Sequence, residues 1–477
     1  MKFQSDIPSI KSYARTLMSL ALLFSDLAAI FLAGTLAVAA RLFLEQGWQP
    51  SLYVQILPVA VALLIFYTLR ELYPAIGMSV VEELRRLTLT TSVVVLSLAG
   101  LTFFARNPEN YSRLTLGLTW VFSLASVPLG RAITRSVATR LRIWGEPVVV
   151  IGNGKRGRKL VESLLENRQL GFYPVAILDC FKDANGNLGT IPVLSAKEAL
   201  VTHNLPGLKS VKTAILVISE VSKTFAEGII NDQYGGFRRL ILVPEQEGIN
   251  SMGVTPLALN GILGLQVHHN LMSTLAQIQK RVMDIFGAIF GLILLSPFFA
   301  LLAILIKRDS PGRVFYRQTR IGKDGKSFGM VKFRSMLQNA DEVLEDHLRY
   351  DPELRREWDR FQKLKEDPRV TPLGAFIRKY SIDEFPQLWN VLAGEMSLVG
   401  PRPFLPEQRD LYGEGFTHYI RVCPGMTGMW QISGRNVSEF GDRPYWDEYY
   451  VRNWSIWLDL YILARTVWVV LRREGAY

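Results

Sequence analysis

The apolar positions of this chain come in long blocks, not at the short spacings of a soluble amphipathic helix or strand. The first block is Leu17–Ala40, 24 residues broken only by small polar groups and Asp26. Its length fits a spanning helix, which needs about 20 apolar residues. It exceeds the hydrophobic region of a signal peptide, and no small-residue cleavage site follows it. Three further runs follow at Tyr53–Leu69, Leu87–Ala105 and Leu114–Gly130. Lys11 and Arg15 precede the first run, Arg70, Arg85 and Arg86 separate the second from the third, and Arg131, Arg135, Arg140 and Arg142 follow the fourth. The other two loops hold only Arg41, and Arg106 with Arg113. Positive flanks mark the cytoplasmic side, so the pattern predicts a region of four spans over 1–145 that begins and ends in the cytoplasm. A channel or transporter is disfavoured, because the runs carry little charge near their centres beyond Asp26.

The period then shortens. Pro147–Ile151 reads as a strand, Gly152-Asn-Gly154-Lys-Arg-Gly157 as a tight turn, Arg158–Glu166 as a helix, and Pro174–Leu178 as a second strand ending in Asp179. Strand-like runs at Thr213–Ile218 and Leu240–Val243 extend the pattern, which predicts a Rossmann-like α/β domain over 146–265. Gly152, Gly154 and Gly157 would let a diphosphate approach a helix N-terminus, and Asp179 could bond a ribose hydroxyl. Tight strand–helix turns need glycine with or without a nucleotide, so a purely structural or dimerising domain stays the competing reading.

A fifth apolar stretch, 282–306, is interrupted by Ser296-Pro297 and bounded by Lys280-Arg281 and Lys307-Arg308. Neither half reaches spanning length, a helix-interior proline favours a kink, and like charge at both ends assigns them to one side. These features predict a re-entrant helix that enters the cytoplasmic leaflet, bends at Ser296-Pro297 and returns. The last apolar stretch, Trp454–Leu471, contains Asp459 and Arg465 and fits an interfacial amphipathic helix better than a span.

Composition adds less. The chain has 477 residues, is 49% hydrophobic and carries a net charge of +11. The basic residues are spread along the chain and form no arm, which favours basic membrane flanks and a headgroup-facing surface over nucleic acid as partner. Cys180 and Cys423 are the only cysteines, both in segments predicted to be cytoplasmic, so neither a disulfide nor a Cys-rich metal site is implied.

From Arg308 onward the chain is charged and Gly-rich, with Asp383-Glu384 among its adjacent acid pairs, and few histidines. No Cys/His or Ser/His pairing and no P-loop lysine motif is in view. Carboxylates, cations and a divalent metal remain, a set suited to phosphoryl transfer. Taken alone, Ser381-x-x-Glu384 also reads as a capping box, with Asp383 merely complementing a helix dipole.

The segment from Lys280 to the C-terminus, within the predicted catalytic domain 266–477, resembles the bacterial sugar transferases, the monotopic phosphoglycosyl transferases. The matching blocks are Lys332-Phe-Arg334-Ser-Met, Asp367-Pro-Arg-Val-Thr-Pro-Leu-Gly, Ser381-Ile-Asp-Glu-Phe-Pro-Gln-Leu-Trp-Asn-Val-Leu, Ser397-Leu-Val-Gly-Pro-Arg402-Pro and Pro424-Gly-Met-Thr-Gly-Met-Trp-Gln. The resemblance implies transfer of a hexose 1-phosphate from a UDP-sugar to undecaprenyl phosphate at the bacterial cytoplasmic membrane, initiating O-antigen or other surface polysaccharide synthesis. Members acting on galactose and on glucose share this layout, and galactose is the expected sugar. The implied nucleophile is Asp383, with Glu384 assisting and either acid ligating Mg²⁺. Arg320, Lys332, Arg334, Arg378, Arg402, Arg435 and Asp459 match polar positions expected to bind substrate. A homodimer is the expected assembly. The alternative from another class is a nucleotide-sensing membrane assembly protein in which the acid pair only caps a helix.

Overall fold

A computed structural model describes residues 14–44, 56–104, 112–141, 143–180, 186–196, 211–230, 237–244, 254–259, 262–267, 274–337, 340–350, 355, 367–433 and 443–472. The chain forms two compact units, Met1–Glu247 and Gly248–Tyr477.

In the first unit, α1 (Ala14–Leu44), α2 (Ile56–Leu69), α3 (Val80–Phe104) and α4 (Arg113–Arg140) occupy the four predicted apolar runs. Three of these are long and apolar enough to cross a membrane, while α2, with 14 residues, is a shorter apolar helix. Two of the helices extend well beyond their apolar runs, Val80–Phe104 at its start and Arg113–Arg140 at its end, and this brings residues expected as flanking charges into the bundle. Glu83 lies in the first turn of α3, and Arg131 and Arg135 lie in the last third of α4. All three are buried together with Asp26 of α1. Arg131 donates from Nε to Asp26 Oδ1 at 2.8 Å and from Nη1 to Glu83 Oε1 at 2.8 Å and to the Leu72 carbonyl at 3.0 Å. Arg135 completes the set on Glu83 through Nη2 at 2.7 Å, and the Tyr73 hydroxyl donates to Asp26 at 2.6 Å. Two cations and two carboxylates thus neutralise one another away from water, the condition under which buried charge is tolerated.

The α/β part of this unit holds β1 (Glu146–Ile151), α5 (Lys155–Glu166), β2 (Phe172–Asp179), β3 (Gly186–Leu188), β4 (Ile191–Ser195), β5 (Thr213–Val217), α6 (Lys223–Ile230) and β6 (Arg239–Val243). The sheet order is β3-β4-β2-β1-β5-β6, parallel throughout except for the edge strand β3. Its central strands β1, β2 and β5 are short apolar runs because both faces are covered. The segment joining α2 to α3 packs on this sheet: the Gly77 amide donates to the Leu170 carbonyl at 2.8 Å, and Ile76 joins the sheet's core.

The second unit opens with a hairpin of β7 (Val254–Leu259) and β8 (Ile262–Val267), which the sequence-based boundary at 265 had divided. Next comes α7, Thr274–Asp309, a single helix of 36 residues. The two short pieces expected to meet at Ser296-Pro297 are therefore one continuous element. Pro297 leaves the Ile293 carbonyl without its usual amide partner, and the Ser296 hydroxyl takes that carbonyl at 2.8 Å. One stripe of α7 (Ala276, Lys280, Asp284, Ala288, Leu302, Ile306) is buried along its length, whereas Phe286, Phe290, Ile293 and Leu294 are exposed.

Beyond α7, β9 (Phe315–Ile321) and β10 (Ser327–Phe333) form an antiparallel hairpin. They are followed by α8 (Ala340–Tyr350), α9 (Pro372–Lys379), a 3₁₀ turn over Ile382–Gln387 and α10 (Leu388–Ala393). Two short parallel strands, β11 (Ser397–Val399) and β12 (Gly425–Thr427), precede α11 (Arg443–Asn453) and α12 (Ile456–Arg472). At β11 and β12 glycine is required by close backbone approach: a Cβ on Gly425 would lie 2.0 Å from the Gly400 amide, and one on Gly428 2.1 Å from its carbonyl.

Candidate functional site

The acid pair sits where α9 hands over to α10. Ser381 adopts the left-handed conformation (φ 54°, ψ 25°), makes no side-chain capping bond, and spends its amide on the Arg378 carbonyl at 3.0 Å. The capping box that the spacing allowed therefore does not form. The chain instead turns at Ser381 into the 3₁₀ segment, and this frees both carboxylates to face β10. A serine at positive φ carries strain of roughly 1 kcal/mol. Ser381→Gly is accordingly expected to leave the fold as stable or raise it by up to about 1 kcal/mol, with Ser381→Ala below Gly. Thermal unfolding checks this, and a lower melting temperature for Gly than for Ser would restore the capping role.

Lys332 on β10 reaches both acids, Asp383 Oδ2 at 3.6 Å and Glu384 Oε1 at 3.0 Å. Arg402, in the turn after β11, approaches the same Glu384 oxygen at 3.4 Å. Arg320 at the end of β9 lines, with Glu384, Gln387, Arg402, Pro403, Gly425 and the methionines 330 and 426, a cleft of ≈ 230 Å³. Burial pushes the Asp383 carboxyl up from its ordinary range; Lys332 and Arg378 oppose that shift, while Glu384 adds to it. Burial, with help from Arg402 and Arg443, pushes the Arg320 guanidinium down to about 10. The two guanidinium groups that line the cleft, Arg320 and Arg402, repel each other and make a site that favours an anion.

The surrounding shell fixes these groups. Asn390, the lone polar residue in the run Leu388-Trp-Asn-Val-Leu392, accepts from the Val331 amide at 2.9 Å and donates to the Gly329 carbonyl at 2.9 Å. It thereby pins the strand carrying Lys332 to the helix that follows the acids. Arg443, buried at the start of α11, donates to the Arg402 carbonyl, pairs with Asp447 at 3.6 Å and lies over the rings of Tyr412 and Trp430. Neither Asn390 nor Arg443 was singled out from sequence. An isolated amide inside an apolar helical run was the available signal for Asn390, and nothing local marked Arg443.

The other expected site residues are distributed differently. Arg378 stands near Asp383 and donates to Ser335 Oγ at 2.8 Å. Arg334 donates to the carbonyls of Ser310 and Pro311 at 2.6 and 2.7 Å, fastening β10 to the end of α7. Asp459 is fully buried, 2.8 Å from Lys280 Nζ, and accepts from Tyr450 and Trp454, which makes it an anchor between α12 and the start of α7. Arg435 lies outside the described residues. Among the described residues no cluster of three or more His, Cys, Asp or Glu could hold a metal. Mg²⁺ needs no such cage, because it commonly takes one or two carboxylates plus substrate phosphates and water, and the adjacent Asp383 and Glu384 fit that demand.

A half-buried acid pair bridged by a lysine and faced by arginines suits phosphoryl chemistry. Residues 275–473 match the model of the bacterial sugar transferase family, and residues 69–203 that of a CoA-binding domain. The chain is 37% identical over 390 residues to a UDP-galactose-lipid carrier transferase of Erwinia amylovora, 81% of each chain being covered. It is 36% identical over 389 residues to an undecaprenyl-phosphate galactose phosphotransferase of Salmonella typhimurium, again covering 81% of each. It is also 30% identical over 486 residues, 97% of each, to a UDP-glucose:undecaprenyl-phosphate glucose-1-phosphate transferase of Escherichia coli. The chain belongs to the bacterial sugar transferase family.

Proposed function

We propose that this protein transfers a hexose 1-phosphate, galactose 1-phosphate in our reading, from a UDP-sugar to undecaprenyl phosphate and releases UMP. The observation that carries the reading is the Asp383–Glu384 pair, held by Lys332 beside Arg320 and Arg402 in a unit whose longest helix is bare and apolar on one side. An Asp383 oxygen attacks the sugar-bearing β-phosphorus, the bond to the bridging oxygen breaks, and UMP leaves with the electron pair. An oxygen of undecaprenyl phosphate then attacks the phospho-sugar on Asp383, and the carboxylate is regenerated. Lys332 and Arg402 neutralise charge on the diphosphate, and Glu384 takes up or relays a proton at the acceptor phosphate. Mg²⁺ bound by either acid would supply further neutralisation of the diphosphate.

Packing supports re-entry of α7 from the cytoplasmic face of the inner membrane. Lys280 and Asp284 near its start bond Asp459, Ser397 and Leu398, while Leu302 and Ile306 near its end pack with Phe333, Ile377 and Ile382. A helix that crossed would divide this one charged unit between two sides of the bilayer. Such placement brings the acids to the compartment that supplies nucleotide sugars and beside a lipid-borne acceptor, and the product would initiate a surface polysaccharide such as O-antigen.

The deciding experiment measures UMP release from a panel of UDP-sugars, with Mg²⁺ and undecaprenyl phosphate in vesicles, followed by mass spectrometry for a phosphohexose on Asp383. UDP-galactose is expected to lead. Preference for UDP-glucose would move the sugar assignment toward that of the Escherichia coli relative. Rapid turnover without an adduct, under conditions that preserve acyl phosphates, would remove the covalent step. Lys332 also sets the pH profile. Because its charge holds the Asp383 carboxyl lower than burial alone would, Lys332→Met is expected to move the acid limb of kcat/KM to higher pH, with residual activity increasing toward alkaline pH. An unmoved limb would separate Lys332 from the titration of Asp383.

A further inference from the structure

The α/β domain of the first unit has the apparatus of an anion-binding fold. Its strand order reverses between β1 and β5, and ligands of open parallel sheets bind in the crevice beyond the carboxyl ends of two such strands. The loop after β1 is the Gly152-Asn-Gly154-Lys-Arg-Gly157 turn, and it opens helix α5 with Gly154 as its cap. Residues 69–203, which include this turn, match a CoA-binding domain, and the turn is where a ligand's diphosphate would be expected in such a fold.

That place is taken by the chain itself. The segment after β5 is a 3₁₀ turn, Ile218–Glu220, which sets the Glu220 carboxylate against the glycine turn from across the crevice. Glu220 Oε2 accepts from the Gly154 amide at 2.8 Å and the Gly157 amide at 3.1 Å, and Oε1 accepts from the Arg156 amide at 2.7 Å. These amides at the start of α5 would otherwise be offered to a phosphate. The fit is close: a Cβ on Gly154 would lie 2.3 Å from Glu220 Oε1, and one on Gly157 2.8 Å from Oε2. Asp179, the residue in line for a ribose, accepts from Asn153 Nδ2 of the same turn at 2.8 Å. A diphosphate would have to displace a carboxylate that is covalently part of the domain and held by three charge-assisted hydrogen bonds at a helix N-terminus.

We propose that this domain is self-liganded: Glu220 is a built-in substitute for the diphosphate, and the domain takes neither CoA nor a dinucleotide. Its glycine turn, ordered by an internal anion, then serves as a permanent structural joint between β1 and α5.

The test is hydrogen exchange followed by mass spectrometry on the full chain in nanodiscs, read on peptides spanning 152–158. In the wild-type protein these amides are expected to be protected without any added ligand, and CoA or NAD⁺ at millimolar concentration should change nothing there. Glu220→Ala is expected to lower protection in this segment at least tenfold, and inorganic pyrophosphate should restore it by filling the vacated seat. Glu220→Gln should behave as an intermediate case, because its amide group sets N–H against a backbone N–H. Added protection of the wild-type turn by CoA or NAD⁺ would overturn the proposal. So would unaltered protection in Glu220→Ala, or a loss there that pyrophosphate does not reverse.

Discussion

Asp383→Asn is expected to abolish UMP release, by about 10³-fold or more as for other nucleophiles removed from a working constellation, while raising the melting temperature. Both effects come from one cause. Asp383 is largely withdrawn from water, at a desolvation cost that exceeds what Lys332 and Arg378 return, so its carboxyl is raised above its unfolded value. A carboxylate raised in this way destabilises the fold increasingly as pH climbs from the unfolded to the folded value, and the penalty then stays constant at higher pH. Asparagine keeps the shape and removes the charge, so neutral-pH stability should rise, on the order of 2–4 °C for each kcal/mol relieved. At pH below the unfolded value the two proteins should melt alike. Thermal scans of both across pH, beside UMP assays, check the pair of effects. An inactive but destabilised variant would mean that Asp383 serves the fold and is not reserved for chemistry.

The second large effect is expected in the helical bundle of the first unit. Arg131→Leu removes the cation shared by Asp26 and Glu83 and leaves the Asp26 carboxylate buried with, among the described residues, the Tyr73 hydroxyl donating to it. Breaking a buried pair from one side costs about 3–5 kcal/mol, enough to deplete the folded, monodisperse protein recovered in detergent. The double change Asp26→Leu with Arg131→Leu keeps the remaining Glu83–Arg135 pair balanced and should recover most of that loss. Size-exclusion profiles and melting curves of the two variants provide the comparison. If the double variant were as poor as the single one, the network would be stabilising through shape and hydrogen bonding, not through charge balance.

Both predictions concern features whose legibility in sequence was uneven. The acid pair could be picked out because it lies inside a block that resembles the family, Ser381-Ile-Asp-Glu-Phe-Pro-Gln, yet its own spacing pointed to a helix cap. Only the positive φ of Ser381 decided otherwise, by turning Glu384 toward Lys332 and Arg402. Arg131 was read as a cytoplasmic flank, because hydropathy locates an apolar run and does not locate the end of the helix that carries it. Asp459 was expected among the substrate-binding positions. The tertiary structure gives it to Lys280, 179 residues earlier in the chain, a partner that no local pattern could indicate.

What the sequence determined by itself was whatever follows from local periodicity and composition. That includes the apolar runs of the bundle, the strands and glycine turn of the α/β domain, the long apolar helix with like charge at both ends, and the residue types available for phosphoryl chemistry. These depend on contiguous residues and on transfer free energies that add along the chain. The tertiary structure decided what depends on pairing across long separations. It decided that α7 is one helix whose Ser296 hydroxyl accommodates Pro297, that Arg334 and Asp459 hold the frame, and that Asn390 and Arg443 set the register of Lys332 and Arg402. It also decided that the glycine turn already holds an anion from its own chain. The physical reason is the same in each case: a buried polar group must find its partner wherever the fold supplies one, and sequence proximity does not determine that choice.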